Sequence, residues 1–107
     1  MKLYHITRRE NLDSILSSGL DPQRAKGVRK SVWGVTPGHV AWALIHVLAK
    51  PWNKGATLSD LVVIELTLSR SQVRRYQRKI YYTTASVVSV PVTADMVIDA
   101  SEFGKVR

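Results

Sequence analysis

LYHITRRENLDSILSSGL, residues 3–20, is the stretch of sequence that decides how the chain begins to fold. Residues 3–6 have the composition of a short β-strand. Thr7 stands three residues before Glu10, which is the spacing of a capping box, and this predicts a helix that begins there. The apolar stripe of that helix consists of Leu12, Ile15 and Leu16. Gly19, in a left-handed conformation, is predicted to end it, so a strand leads directly into an amphipathic helix.

The rest of the chain supplies one further long helix and several strands. Residues 31–35 predict a second strand, after which Thr36 as N-cap and Pro37 at the first helical position predict a second helix. Its apolar face contains Val40, Ala43, Leu44, Val47 and Leu48, widened by Trp42, Ile45 and His46. Residues 61–68 form the clearest strand, which we expect inside the sheet, and residues 80–83, 86–90 and 93–98 are rich in β-formers. The pattern predicts one α+β domain spanning residues 1–107.

The charge of the chain is strongly basic and unevenly distributed. Sixteen Lys and Arg against eight Asp and Glu give a formal net charge of +8. Much of the excess lies in residues 24–30 and 70–79, and such clusters attract phosphate-bearing partners. A solvated surface is the alternative interpretation of either cluster. Tyr76 is the one aromatic residue within them, so the sequence carries only a weak indication of nucleic-acid binding.

Composition also suggests a compartment. Apolar residues make up 45% of the chain and cysteine is absent. The longest apolar run, residues 40–49, is much shorter than the roughly 20 residues that span a bilayer. The first residues do not have the pattern of a signal peptide. We therefore expect a cytoplasmic protein that does not insert into a membrane.

Three histidines are candidates for chemistry. His39 and His46 lack the i, i+4 spacing of a zinc-binding helix, so no metal site is predicted. His46 is expected to pack in the core, and His39 to lie exposed in the first helical turn. His5 precedes a predicted helix start, where ligands often bind. Because side chains alternate along a strand, either Tyr4 or His5 faces the core, and a structural role for His5 is the alternative.

The order of several short motifs resembles the ADP-ribosyltransferase-like superfamily. Residues 3–7, then Asn11-Leu12 and residues 14–20, match its opening pattern "YH-x-T, NL, I-L, GL", which is found in DNA-modifying toxins and more loosely in RNA 2′-phosphotransferases. Residues 31–36, 40–43 and 62–66 match later segments in the same order. The resemblance covers about the first two-thirds of the chain. It implies a small split β-sheet with two main helices and NAD as a substrate, without a metal.

The resemblance also assigns roles to individual residues. It implies that His5 binds the nicotinamide ribose of NAD, on a cleft floor shared with Tyr4 and Thr7. Trp33 and Thr36 take the second-strand positions near the nicotinamide, although the Thr36 hydroxyl has helix capping as an alternative role. Two arginines of the basic loop, Arg24 and Arg29, take the positions that hold pyrophosphate or substrate phosphates, a task suited to guanidinium groups.

One element of the family pattern is missing. A late catalytic glutamate would fall near residues 84–87, where the chain has no carboxylate and Ser86 is the available polar residue. A serine can bind a ligand there, but it stabilises the developing positive charge on the ribose poorly. Glu65, which interrupts an apolar strand, is the remaining catalytic candidate, with an exposed strand face as the simpler explanation.

Three functions follow as hypotheses. The first is an NAD-dependent ADP-ribosyltransferase-like enzyme acting on a nucleic-acid or protein acceptor. The second is a non-catalytic protein that binds NAD or ADP-ribose in order to sense or sequester it, which the missing glutamate favours. The third is a basic adaptor for nucleic acid or an acidic protein, which rests on charge alone.

Overall fold

A six-stranded antiparallel sheet organises the computed structural model, which describes residues 1–26 and 29–104. Gly27 and Val28 of the predicted basic loop and the last three residues lie outside the described part. The strands are β1 (Lys2–Arg8), β2 (Trp33–Val35), β3 (Leu61–Thr67), β4 (Val73–Gln77), β5 (Ile80–Thr83) and β6 (Val97–Asp99). The helices are α1 (Leu12–Ser18), α2 (Val40–Leu48) and a short α3 (Ser101–Gly104). The predicted α+β class with two main helices is confirmed.

The sheet has the strand order β4-β5-β2-β1-β3-β6. β1 and β3 pair along their whole length, from Lys2 opposite Thr67 to Arg8 opposite Leu61. Residues 61–64 of β3 are fully buried, because other elements cover both faces of the sheet there. The prediction that this strand lies inside the sheet is therefore confirmed.

The two faces of the sheet carry separate cores. On one face, which we call the α1 face, Leu3, Ile64 and Leu66 pack with Ile15 of α1. On the opposite face, the α2 face, strand residues pack beneath the second helix. This second cluster includes Val35, Leu61, Val63, Val40, Ala43 and Leu44. Because strand side chains alternate, neighbouring residues of one strand belong to different faces.

The sheet is divided at the β1–β2 junction. These strands share a single registered pair, Tyr4 opposite Val35, whereas β2 pairs with β5 at all three of its residues. Gly34 permits the close approach, because a Cβ added there would lie 3.0 Å from the Leu3 Cβ. Two half-sheets, β4-β5-β2 and β1-β3-β6, therefore meet along a narrow contact.

A buried polar pair fixes β2 against β5. The Ser31 hydroxyl donates to the Thr83 carbonyl at 3.0 Å, and the Val32 amide donates to the Thr83 hydroxyl at 2.9 Å. Both Ser31 and Thr83 are buried. These bonds satisfy groups that would otherwise be costly to bury.

The predicted start of the first helix is wrong. β1 continues to Arg8, a 3-10 turn follows at Arg9–Asn11, and α1 begins only at Leu12. The Thr7 hydroxyl caps no helix and instead accepts from the Asn11 amide at 3.3 Å. The end is confirmed: Gly19 has φ 81°, although its ψ of 178° is not that of a left-handed helix.

Two further expectations need correction. Trp42, Ile45 and His46 do not widen the buried face of α2, because all three are exposed, Ile45 at 69%. Residues 86–90 form no strand and contribute only an isolated bridge between Leu20 and Val90. The second basic cluster, residues 70–79, contains the edge strand β4.

Candidate functional site

His5 lies at the β1–β2 junction and bridges it. Its ring Nδ1 is 2.7 Å from the Trp33 carbonyl oxygen. A carbonyl oxygen can only accept, so Nδ1 carries the proton and donates. In the neutral ring, Nε2 is then an acceptor for another group. The bond fixes the orientation of the imidazole between the two half-sheets.

The surroundings of His5 favour its neutral form. Burial lowers the pKa of His5 below its ordinary value of 6.5, and the bond to Trp33 opposes that shift only in part. No charged group contributes to the shift within the described residues. At neutral pH the ring therefore presents an uncharged acceptor, suited to a hydroxyl donor such as that of a ribose.

The neighbours of His5 on β1 lie on different faces. Thr7 is two residues further along and shares the α1 face with His5. Tyr4 faces the other way and packs with the α2-face cluster, where its ring meets Phe103 edge to face at 5.8 Å. The sequence left open whether Tyr4 or His5 points to the core, and the structure places Tyr4 in the α2-face core and His5 at the junction.

Trp33 meets His5 through its backbone only. Alternation with Gly34 puts the Trp33 ring on the α2 face, where it lies 5.2 Å from the rings of both Tyr76 and Tyr82. Thr36 stands at the N-cap position of the turn Pro37–His39, but its hydroxyl forms no capping bond. The structure therefore does not bring the Trp33 ring and the His5 ring together on one face.

The two arginines predicted to bind phosphate lie in different environments. Arg24 Nη1 donates to the Ser14 hydroxyl of α1 at 3.1 Å, on the α1 side of the molecule. It lines a cavity of about 110 Å³ together with Ser14, Ser18, Gly19, Asp21, Val88 and Ser89. The Arg29 guanidinium instead lies over the Tyr82 ring at 4.2 Å. Arg24 alone shares the α1 side with His5.

Glu65 and His5 lie on opposite faces of the sheet. Glu65 lies between Ile64 and Leu66, both of which pack on the α1 face, so its side chain points to the α2 face. There Lys2 Nζ contacts the carboxylate at 2.8 Å. Strand geometry thus separates the two catalytic candidates, and the ion pair with Lys2 accounts for this carboxylate in an otherwise apolar strand.

Ser86 is exposed in the loop after β5, where its hydroxyl lies 2.8 Å from that of Thr84. That Ser86 takes the place of the late catalytic glutamate of the family stays a prediction. Within the described residues, no three His, Asp or Glu side chains are grouped so as to hold a metal ion. In the same part of the chain, no helix is long and apolar enough to cross a membrane.

Sequence reasoning missed a group of aromatic rings around Trp33. Trp33, Tyr76 and Tyr82 come from three strands that are neighbours only in the folded sheet. It also missed a stack of rings at α2, in which the centroid of the Trp42 ring lies 4.2 Å from that of His39 and 3.8 Å from that of His46. The i, i+3 and i, i+4 spacing of these three residues was the available signal for the stack.

Comparison with known proteins adds no assignment. The chain matches no family model, no curated protein and no solved structure.

Proposed function

We propose that this protein binds NAD or a related ADP-ribose nucleotide at the β1–β2 junction, on the α1 face. The observation that carries the proposal is the bond from His5 Nδ1 to the Trp33 carbonyl at 2.7 Å. It leaves Nε2 of a neutral ring as an acceptor at the narrow contact between the half-sheets, a suitable partner for a ribose hydroxyl. Arg24, on the same side of the molecule, supplies a guanidinium for a phosphate.

The arrangement of the family-like motifs supports the same proposal. Residues 3–7, 31–36 and 62–66 carry the resemblance, and they supply the adjacent strands β2, β1 and β3. Three separate pieces of sequence that resemble one nucleotide-binding superfamily thus lie on three neighbouring strands, two of which, β2 and β1, border the division of the sheet. That convergence supports nucleotide binding more strongly than it supports a particular reaction.

A transferase acting on a nucleic-acid or protein acceptor is the second candidate. The same convergence of motifs favours it, but Glu65 faces away from His5 and is paired with Lys2. Any transfer of ADP-ribose at this site would therefore proceed without Glu65. Release of nicotinamide from NAD is the reaction that distinguishes the second candidate from binding alone.

Calorimetric titration with NAD and with ADP-ribose tests the proposal. We expect saturable binding, weakened about 2- to 10-fold in His5→Ala, the usual worth of one neutral hydrogen bond. His46→Ala is the matched control, because it removes an exposed histidine of α2 and is expected to bind as the wild type does. Absence of binding by either nucleotide at about 100 μM would refute the proposal.

A nicotinamide-release assay with labelled NAD and mixed acceptors tests the second candidate. If turnover occurs, Glu65→Gln should retain it, because this carboxylate lies on the opposite face from His5. A Glu65→Gln variant that folds and binds NAD but loses turnover would contradict the placement of the site. Binding without nicotinamide release would leave the first proposal standing and exclude the transferase.

A further inference from the structure

Acidic side chains are absent from the sequence that builds one half of the sheet. Residues 22–59 and 66–94 contain no Asp or Glu, and they supply β2, β4 and β5. All eight carboxylates belong to the remaining segments: Glu10, Asp13, Asp21, Asp60, Glu65, Asp95, Asp99 and Glu102. The half-sheet β4-β5-β2 is therefore purely basic in its side-chain charge, and a polyanion approaching it meets no repelling carboxylate from these strands.

The same half-sheet carries a compact aromatic group on the α2 face. Trp33 and Tyr82 are register partners, with ring centroids 5.2 Å apart. The β4–β5 register shifts between Arg75 and Gln77, so Tyr76 is the extra residue of a bulge. A bulge redirects a side chain, and the Tyr76 ring meets Trp33 edge to face at 5.2 Å.

Arginines flank these rings. The Arg29 guanidinium lies over the Tyr82 ring at 4.2 Å. Arg74 is the register partner of Tyr82 on β4 and therefore shares its face. We call Trp33, Tyr76, Tyr82, Arg29 and Arg74 the aromatic–arginine surface. It lies at an open side of the sheet, because β4 is an edge strand.

Exposure shows which ring is available to a partner. Tyr76 is 56% exposed, whereas Trp33 and Tyr82 are partly buried, and the Trp33 ring contacts both tyrosines. Arg29 and Arg74 are also exposed. An exposed ring that packs against Trp33, with exposed guanidinium groups on the same half-sheet, combines a stacking face with phosphate-binding groups.

We propose that the aromatic–arginine surface binds single-stranded nucleic acid, with a base stacked on Tyr76 and phosphates held by Arg29 and Arg74. The absence of carboxylates favours a polyanion, and the exposed ring favours one that offers free base faces. A duplex hides those faces within its own stack. The inference goes beyond the proposed nucleotide site, because this surface lies on the face opposite His5.

Fluorescence anisotropy with labelled oligonucleotides of about 15 residues tests the proposal, since one small domain covers about 4–16 nucleotides. Oligo-dT and oligo-rU distinguish DNA from RNA, and binding of either supports the proposal. We expect either strand to bind at least about 10-fold more tightly than a duplex of the same length at the same salt concentration. Equal or tighter binding of the duplex would overturn it.

Substitution of Tyr76 separates stacking from charge. Loss of one base–aromatic stack lowers affinity about 5- to 100-fold, so we expect Tyr76→Ala to bind that much more weakly and Tyr76→Phe to bind nearly as the wild type. Trp42→Ala is the matched control, since Trp42 is a similarly exposed aromatic, on α2 rather than on β4. Wild-type affinity in Tyr76→Ala, with a wild-type circular dichroism spectrum, would overturn the proposal.

Salt dependence tests the arginine. Arg74→Ala should reduce the slope of log affinity against log salt by about one phosphate contact. Lys54→Ala, which removes one exposed charge from the loop between α2 and β3, should leave the slope unchanged. An equal effect of both substitutions would show attraction by net charge alone and overturn the site. His5→Ala should leave strand binding unchanged and Tyr76→Ala should leave NAD binding unchanged, so that the two proposals fail separately.

Discussion

Gly34→Ala is the substitution that most directly tests the β1–β2 junction. A Cβ at this position would lie 3.0 Å from the Leu3 Cβ, 3.4 Å from the Tyr4 carbonyl oxygen and 3.6 Å from the Leu3 Cδ1. Carbon atoms prefer about 3.5–4.0 Å, and Leu3 is only 2% exposed, so it has little room to move. Overpacking of this kind costs about 1–3 kcal/mol.

The assay is urea and thermal unfolding followed by circular dichroism. A cost of about 1–3 kcal/mol corresponds to a melting temperature lower by roughly 4–15 °C in a domain of this size. Replacing any glycine by alanine also restricts the unfolded chain, which stabilises by about 0.4–1 kcal/mol. Gly38→Ala provides the control for that term, because its new Cβ would meet nothing within 4 Å.

The difference between the two variants isolates the contact at the junction. We expect Gly34→Ala to be less stable than Gly38→Ala by about 1–3 kcal/mol. Because β2 would be pushed away from β1, the bond from His5 to the Trp33 carbonyl should also weaken, with a loss of NAD affinity. Equal stability of Gly34→Ala and Gly38→Ala would refute the close approach of the two half-sheets.

Three further predictions concern residues around the same framework. Because the pKa of His5 is lowered in the folded state, its neutral form stabilises the protein above about pH 6.5, and that contribution is lost as pH falls through the lowered pKa. The free energy of unfolding should therefore decline less steeply on acidification in His5→Gln than in the wild type, as measured by urea titrations; an unchanged slope would contradict the burial of the ring. Thr83→Val should lower the free energy of unfolding by about 1–3 kcal/mol, because it leaves the buried Val32 amide without its acceptor. Thr67→Val, at an exposed strand position, should change the free energy of unfolding by less than about 0.5 kcal/mol. Gly19→Ala should lower the free energy of unfolding by more than about 1 kcal/mol, since φ is 81° there and the new Cβ would lie 2.7 Å from the Ser89 hydroxyl. Faster amide hydrogen exchange at Leu20 and Val90 would show that the bridge between them is broken, and unchanged exchange would contradict the prediction.

The sequence pattern predicts an element correctly where the residues of that element determine its structure by themselves. Residues 61–68 were identified as a strand because a run of β-branched residues suits a sheet interior, and Leu61–Thr67 forms that strand. The capping-box spacing of Thr7 and Glu10 misled, because β1 continues to pair with β3 as far as Arg8 opposite Leu61. The pairing of β1 with β3 extends the strand through Thr7, and the spacing of Thr7 and Glu10 alone does not distinguish a strand end from a helix start.

Burial and proximity were harder to predict than secondary structure. Trp42, Ile45 and His46 are apolar or aromatic residues in an apolar helix, and nothing in their spacing reveals that they are exposed in the part of the chain that the structure describes. The same limit applies to the candidate site. That His5 meets the Trp33 carbonyl while the Trp33 ring faces Tyr76 depends on strand order and register. Neither quantity can be read from short motifs.

The unequal pairing on the two sides of β1 has a consequence for how the molecule opens. β1 and β3 share a ladder seven residues long, whereas β1 and β2 share one registered pair. Fluctuations that release amide hydrogens to solvent occur in cooperative units with different free energies. We expect the amide hydrogens of β4, β5 and β2 to exchange together through a partial opening, whereas those of β1 and β3 exchange only on global unfolding. His5 then lies at the boundary between the half-sheet that opens last and the half-sheet that opens first. A ligand that contacts both would therefore slow amide hydrogen exchange in β4, β5 and β2.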